Sequence, residues 1–587
     1  APSGDIIVRD GAEIDFSGGG SFNAEGIIET TRLLTASGQV YDIAEAPQWV
    51  SYERVLNEHN VLHERYGINR TFNGLYAGGA VPLKNYMHNH LQGDDAGMLF
   101  LEAKGIVLDG NIYGWATRGI FQTHNIVEEV TYDNFAVQTI SGTKQPRAGR
   151  LVIGGESPNP DGAQDLDYVT EDVVIAGSGS TLPDSFGLGD SLKDLQMDGQ
   201  KPFESKLTDG EGPLYRTVLS AEMLNKARLS YLSINVNTKL TVEENVVLKF
   251  QSGGLRIDES IEYVSGMSLQ YLYPDSPATF SVKAQALDHR GQVILPSGLV
   301  TVTIVDTVAT PATNNPSERA VQLNQRAYFA GGSSVSVAGE RIDNTLSDIF
   351  TDLRLGQIDG GRIQVMDNTG FGAETILSPR ALLDVSSGYV LKPEGEVSAG
   401  RSGSLELEGA TLVVGADLRG YSLPDHSGGS ISLHANKLTV QKEAAEFPQI
   451  ESFNSELPVD FQKGLTLGSD QLEDTGFTHI ALKSFRGLTV ENGAELEPSY
   501  VKMTLPSVGQ RLNAVSPAPG FMFTGLEKEV GVAVVFPEQI GSSSISAKAG
   551  EPLYGKQSID RLSDTYAVVV AAESRSEEHT SELQSLL

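Results

Sequence analysis

The sequence predicts an all-β chain, a right-handed parallel β-helix (a solenoid) with irregular loop insertions. Three observations predict it. Short alternating runs keep restarting behind a glycine, as in Gly403-Ser-Leu-Glu-Leu and Gly429-Ser-Ile-Ser-Leu. The restarts fall about 26 to 29 residues apart, as from Gly403 to Gly429 and from Gly332 to Gly361. Helical periodicity is scarce, whereas glycine is abundant, with 63 residues. Alternation puts Leu405 and Leu407 on one face of a strand and Ser404 and Glu406 on the other. Strands this short form no stable sheet by themselves, so each unit must stack on a neighbour to bury its apolar face. A sandwich of hairpins would instead need many two-residue Asn-Gly or Asp-Gly connections; Asp109-Gly110 and Asn492-Gly493 are among the few present.

Along the chain, residues 1–40 read as the first rungs. Residues 41–94 are an insertion richer in charge and aromatics (YDIAEAPQWVSYERVLNEHNVLHERYG). There Ser51 is placed to cap a short helix running to Glu64, with Val55, Leu56 and Leu62 on one side. Rungs resume over 95–157, with Asp95-Ala-Gly-Met-Leu-Phe-Leu and Gly149-Arg-Leu-Val-Ile. Residues 158–215 form an acidic, loop-rich section, and 216–309 return to rungs. Residues 310–320 contain TPATNNPSER, a turn-rich linker. Residues 321–574 carry the longest series of rungs. Residues 575–587 begin RSEEHTSELQS, which back-translates to a common sequencing-adapter read, so this tail is expected to be an artefact.

Composition narrows the functions. Lys and Arg total 43 against 76 Asp and Glu, a formal net charge of −33. Nucleic-acid binding needs clustered cations that release phosphate counterions, and no such clusters occur. The acidity serves a solvated, self-repelling surface; cation binding, most plausibly of Ca²⁺, is the alternative reading. The absence of cysteine removes disulfides, thiolate metal sites and Cys nucleophiles. No run approaches the length of a membrane span, and no signal peptide is present in this stretch, which reads as an internal piece.

Candidate chemistry is sparse. His59 and His63 stand four apart beside Glu64, helical spacing for two metal ligands, yet H-N-V-L-H-E lacks the general base of H-E-x-x-H. His88 and His90 alternate ahead of Asp94 and Asp95, a conceivable pair of imidazoles with a carboxylate, though edge strands commonly carry exposed histidines. Asp161, Asp165 and Asp167 crowd one loop without the spacing of a Ca²⁺ motif, so an acidic turn is the simpler reading. Asn69-Arg-Thr71 is the one glycosylation-type sequon. No nucleophile elbow, Walker loop or dinucleotide fingerprint occurs. The expectation is therefore a non-enzyme with no catalytic, cofactor or metal residues assigned and no cofactor. A secreted β-helix lyase or hydrolase acting on acidic polysaccharide is the alternative.

Several segments together resemble the filamentous haemagglutinin family of two-partner secretion exoproteins. They are GAEIDFSGGGSFNAEGIIETTRLLTASGQVYDIAEA (11–46), HERYGINRTF (63–72), GDDAGMLFLEAKGIVLDGNIYG (93–114), RLVIGG (150–155), GQIDGGRIQV (356–365), ALLDVSSGYV (381–390) and TGFTHIALKSFRGLTVENGAELEP (475–498). No one of these is a catalytic signature; the resemblance lies in their number and order. It implies an internal segment of a long β-helical shaft, secreted to the cell surface of a Gram-negative bacterium through an outer-membrane transporter. It further implies adhesion to host-cell, bacterial or glycan ligands. Neither the family's N-terminal secretion domain nor a C-terminal toxin is in this sequence, and the family has no catalytic residues to carry over.

Overall fold

The structure is a computed structural model. With breaks of five residues or fewer, it describes residues 4–72, 84–118, 146–154, 170–205, 214–257, 278–305, 325–344, 357–504 and 542–549. It also describes the short segments 131–136, 532–534, 568–570 and 575–576.

The chain is all-β, and its long sheets are parallel. Among the described residues three dominate, of twelve, ten and five strands. The chain visits them in a fixed order. Tyr231–Asn235 joins the twelve-stranded sheet, Lys239–Val242 the ten-stranded sheet and Val247–Lys249 the five-stranded sheet. Thr279–Ala284, Ala286–His289 and Gln292–Ile294 repeat that order, each strand pairing in parallel with its predecessor. So do Leu299–Val305, Arg326–Phe329 and Ser334–Ser336, and then Arg362–Asn368, Glu374–Leu377 and Leu382–Asp384. Ser404–Gly409, Thr411–Val414 and Asp417–Arg419 make a further pass. Gly429–Gln441, Phe477–Val490 and Ser544–Ala549 extend the twelve-stranded sheet.

Side-chain alternation explains which face is buried. In the twelve-stranded sheet Ile363, Leu405, Ile431, Ile480 and Ile545 occupy one registered row, and all are buried. Val365, Leu407, Leu433 and Leu482 form the next inward row. Each such side chain contributes about 1.5–3 kcal/mol of burial, so the rows hold successive passes together.

Parts of the ten-stranded sheet are covered on both faces, and strands there are buried along their whole length, as in Arg326–Phe329 and Thr411–Val414. The excursion 442–464 lays Ile450, Phe453 and Leu457 over Tyr328, Ile376 and Val413. Arg326 pins it there. The guanidinium is buried, donating through Nε and Nη2 to Glu374 Oε2 at 2.8 and 2.5 Å and through Nη1 to the carbonyls of Phe453 and Ser455. Toward the N-terminal end Leu182, Phe186, Leu192 and Phe203 cover Val107 in the same way. In the twelve-stranded sheet the outward positions are partly exposed over Thr279–Ala284, Arg362–Asn368 and Ser404–Gly409.

The repeated glycine has a steric cause. Gly298, Gly361 and Gly403 immediately precede three successive strands of the twelve-stranded sheet, and each carbonyl accepts from the next pass, Gly298 from Arg362 N at 2.8 Å and Gly361 from Ser404 N at 3.0 Å. A Cβ on Gly361 would meet Gly298 O at 2.1 Å, and one on Gly403 would meet Gly361 O at 1.9 Å. Backbones this close exclude any side chain.

The structure corrects several sequence readings. The helix expected from Ser51 to Glu64 is absent: Tyr52–Val55 and His59–His63 are strands, paired antiparallel with Arg32–Thr35 and Ile68–Phe72. Asp109-Gly110 and Asn492-Gly493 are not hairpin connections. Asp109-Gly110 joins Gly105–Leu108 to Asn111–Tyr113, each in parallel with a different strand, and Asn492-Gly493 follows a strand whose long-sheet partners are all parallel. Gly332 and Gly361 introduce strands of different sheets, so only the Gly403–Gly429 spacing measures one return to the same sheet. The acidic section 158–215 contributes Asp172–Ala176 to the ten-stranded sheet. A single α-helix among the described residues, Ala221–Ala227, was not foreseen; Ser220 Oγ caps it by accepting from Met223 N. The linker 310–320 lies outside the described residues. In the tail, Arg575–Ser576 pairs with Glu495–Leu496 over two residues only.

Candidate functional site

The outward rows of the twelve-stranded sheet gather polar side chains near its C-terminal end. Register places Arg362, Ser404, Ser430, His479 and Ser544 in one row across successive strands. Gln364, Glu406, Ser432, Ala481 and Ser546 form the middle row. Glu408, His434, Lys483 and Lys548 form the third. Strands lie about 4.8 Å apart, so each row is a ladder of that period. The small side chains of Ser432, Ala481 and Ser546 leave a trough along the middle row. Glu406, Ser430, His479 and Lys483 stand with them around a cleft of about 210 Å³.

Hydrogen bonds fix the walls. Arg362 Nη2 donates to Glu406 Oε1 at 2.5 Å and Gln364 Nε2 to Glu406 Oε2 at 2.8 Å, so that carboxylate is held and compensated. His434 Nδ1 lies 3.5 Å from Glu408 Oε1. His479 Nδ1 lies 2.9 Å from Ser544 Oγ, and its Nε2 lies 3.4 Å from Ser542 Oγ, which is 2.6 Å from Ser427 Oγ. Partial burial, with the positive charge of Lys502 behind it, holds the His479 pKa below the usual imidazole value. Lys502 is itself buried. Its Nζ donates to Ser422 Oγ at 2.9 Å and to the carbonyl of His426 at 2.8 Å, and burial lowers its pKa to about 8.

The arrangement around His479 is not that of an activated serine. Both ring nitrogens of His479 face serine hydroxyls instead of the orienting carboxylate that a Ser–His nucleophile needs. The Ser422–Lys502 pair combines a hydroxyl with an amine of depressed pKa, but both side chains are sealed from solvent. The open face offers hydroxyl, amide and ammonium groups on a rigid ladder.

A second hollow of about 200 Å³ lies under the excursion 442–464, between Phe447 and Phe461 on one side and Val413, Lys437 and Thr439 on the other.

Of the residues singled out from sequence, those that the structure describes form no common site. In a strand, His59 and His63 have Cα atoms about 13 Å apart, too far to share an ion. Glu64 and His88 lie outside the described residues, as do Asp161, Asp165 and Asp167. His90 begins the strand His90–Gly93, and Asp95 Oδ1 accepts from Arg147 N at 2.8 Å, closing a turn. Asn69 and Thr71 lie in the strand Ile68–Phe72. Among the described residues no three His, Asp or Glu side chains are placed to hold a metal ion. Sequence reasoning missed the outward rows of THIALKS and GSISLHA, because alternation gives their polar faces but not which strands lie beside them. No described helix is long and apolar enough to cross a membrane.

The chain matches no protein-family profile, no curated protein and no solved structure. The family resemblance therefore rests on the sequence segments alone.

Proposed function

We propose that this chain is an internal shaft segment of a large secreted or cell-surface exoprotein of a Gram-negative bacterium, resembling the filamentous haemagglutinins, that binds surfaces without turnover. On this reading the passes wind into a right-handed parallel β-helix, exported through an outer-membrane two-partner secretion transporter. The observation that carries it is the fixed order in which the chain revisits three parallel sheets while the length of each pass varies. Thr279 pairs with Leu299, Leu299 with Arg362, and Arg362 with Ser404. A stack that keeps register across excursions lengthens without enlarging a single core, and can form progressively as the chain emerges from a pore. Lack of cysteine avoids disulfide trapping before export, and the charge of −33 keeps a strand-rich chain dispersed.

Long-read sequencing through both ends of the reading frame tests the proposal. The expected result is a frame that extends upstream into a signal peptide and secretion domain and downstream beyond Ser574, with a transporter gene beside it. A signal peptide directly before Ala1 and a stop codon directly after Ser574, together with cleavage of a polyuronate by the purified protein, would replace the shaft with the lyase reading.

A further inference from the structure

We propose that the peptide bond between His426 and Ser427 is a self-cleavage site, opened by transfer of the His426 acyl group from the Ser427 nitrogen to the Ser427 hydroxyl. The bond lies in the loop 420–428, between the strands Asp417–Arg419 and Gly429–Gln441. Its carbonyl is held in an unusual way. His426 O accepts from two side chains at once, Lys502 Nζ at 2.8 Å and Ser422 Oγ at 2.8 Å. Lys502 Nζ also donates to Ser422 Oγ at 2.9 Å, which locks the two donors together. Both side chains are buried, so they meet this backbone oxygen away from water. Two donors within about 3 Å of a carbonyl oxygen, one of them an ammonium in a low-dielectric setting, stabilise the oxyanion that forms when the carbon is attacked. Burial brings the Lys502 pKa down only to about 8, so the ammonium is still mostly charged at pH 7.

The nucleophile is the next residue. Chain connectivity lets the Ser427 hydroxyl reach the His426 carbonyl carbon through a five-membered ring. Its oxygen is fixed by Ser542, accepting from Ser542 N at 3.1 Å and lying 2.6 Å from Ser542 Oγ. Ser542 Oγ in turn lies 3.4 Å from His479 Nε2. His479 therefore stands one hydroxyl away, a remote proton acceptor and not a direct activator; its lowered pKa keeps it neutral at pH 7. Strain adds to this. Asp425, one residue before the bond, sits at φ 65°, in the left-handed region that an L residue occupies at a cost. Opening the loop releases it.

In the first step Ser427 Oγ bonds to the His426 carbonyl carbon and gives up its proton through Ser542. The bond from that carbon to the Ser427 nitrogen breaks, and the nitrogen takes up one proton. The product is an ester, an isomer of the peptide with no atom gained or lost. Water then hydrolyses the ester, leaving a carboxylate on His426 and a free amino group on Ser427. Ser404–Gly409, before the bond, pairs in parallel with Gly429–Gln441 after it, so the cut nicks the stack without dividing it.

The test is incubation of the purified 587-residue protein at pH 7, with and without hydroxylamine, which cleaves esters much faster than peptides. Denaturing electrophoresis and mass spectrometry should find fragments 1–426 and 427–587, the first ending in a hydroxamate when hydroxylamine is present. Under native conditions the two should elute as one species. Ser427→Ala should abolish cleavage, and Ser427→Cys should restore it and make it responsive to added thiol. Ser422→Ala should slow cleavage by about a hundredfold, the effect of losing one oxyanion donor; it spares the buried Lys502, and circular dichroism checks its fold. Intact protein after prolonged incubation with hydroxylamine, new ends anywhere else, or unchanged cleavage of Ser427→Ala would overturn the proposal. So would a parental rate in a folded Ser422→Ala variant.

Discussion

Replacing Gly403 by alanine tests the stacking of passes at its tightest point. The added Cβ would lie 1.9 Å from Gly361 O and 2.9 Å from Gly361 C, both backbone atoms that cannot swing aside. Relief requires the two passes to separate by more than an ångström. That movement breaks the bond from Ser404 N to Gly361 O at 3.0 Å and strains the one from Gly403 N to Val385 O at 2.7 Å. Losing one or two backbone hydrogen bonds costs about 1–3 kcal/mol each when the partners stay buried. Local overpacking adds about 1–3 kcal/mol, so the substitution should destabilise this part of the stack by about 3–5 kcal/mol. A stacked chain need not unfold in one step, so the assay is native-state hydrogen exchange read on peptides covering 400–441, supported by urea unfolding. Gly177→Ala is the control, because a Cβ there meets nothing within 4 Å. If Gly403→Ala exchanges no faster than Gly177→Ala, close backbone approach is not the reason for the repeated glycine.

Three further outcomes follow from buried charges. Burial lowers the pKa of His289 to about 4, against a hydrogen bond from its Nε2 to the Ser334 carbonyl that opposes the shift. The unfolded state therefore binds more protons between pH 6.5 and 4, and stability should fall by up to about 3 kcal/mol as pH drops through that window; urea midpoints for the parent and His289→Gln, the latter with a flatter profile, check it. Burial likewise depresses the ammonium of Lys502 to about 8, so between pH 8 and 10.5 the unfolded state keeps a proton that the folded state has released, and stability should rise by at most about 3 kcal/mol across that window. Lys502→Met should lack that rise in the same measurement. Removing the buried guanidinium with Arg326→Ala leaves Glu374 and two carbonyls without their donor, at a cost of about 3–5 kcal/mol. Limited proteolysis should then cut within 442–464 well before the sheets, and equal resistance would show that Arg326 does not hold this excursion.

How much of this was legible in the sequence depends on the range of the interaction. Alternation in Gly403-Ser-Leu-Glu-Leu gave the strand and its buried face, because both are set within a few residues. The glycine before it marked the restart but not its cause: the crowding atom belongs to Gly361, on the preceding pass, and Gly403 is not among the residues with positive φ. Register was not legible: nothing local states that Leu299 returns to Arg362 across an excursion whereas Thr279 returns to Leu299 directly. The stretch 51–64 misled because Val55, Leu56 and Leu62 suit a helical face while antiparallel partners at 32–35 and 68–72 decide for strand. The T-shaped pair of Tyr41 and Tyr52, 5.9 Å between centroids, belongs to that hairpin sheet. The trough needed register as well, since Ser432, Ala481 and Ser546 read separately as ordinary exposed positions. Arg326 and Lys502 gave no signal, because their partners lie far along the chain and polar residues are rarely buried.

The central claim is that widely separated segments return to one registered parallel stack. The chain has no cysteine, so paired Ser281→Cys and Ser546→Cys spin labels can be placed cleanly and their separation read by double electron–electron resonance. Register links these positions through Thr301, Gln364, Glu406, Ser432 and Ala481. Six strand steps correspond to about 29 Å between backbones, and the account predicts one narrow distribution near that distance once the reach of the labels is included. A broad distribution, or one centred well away from it, would contradict the stack.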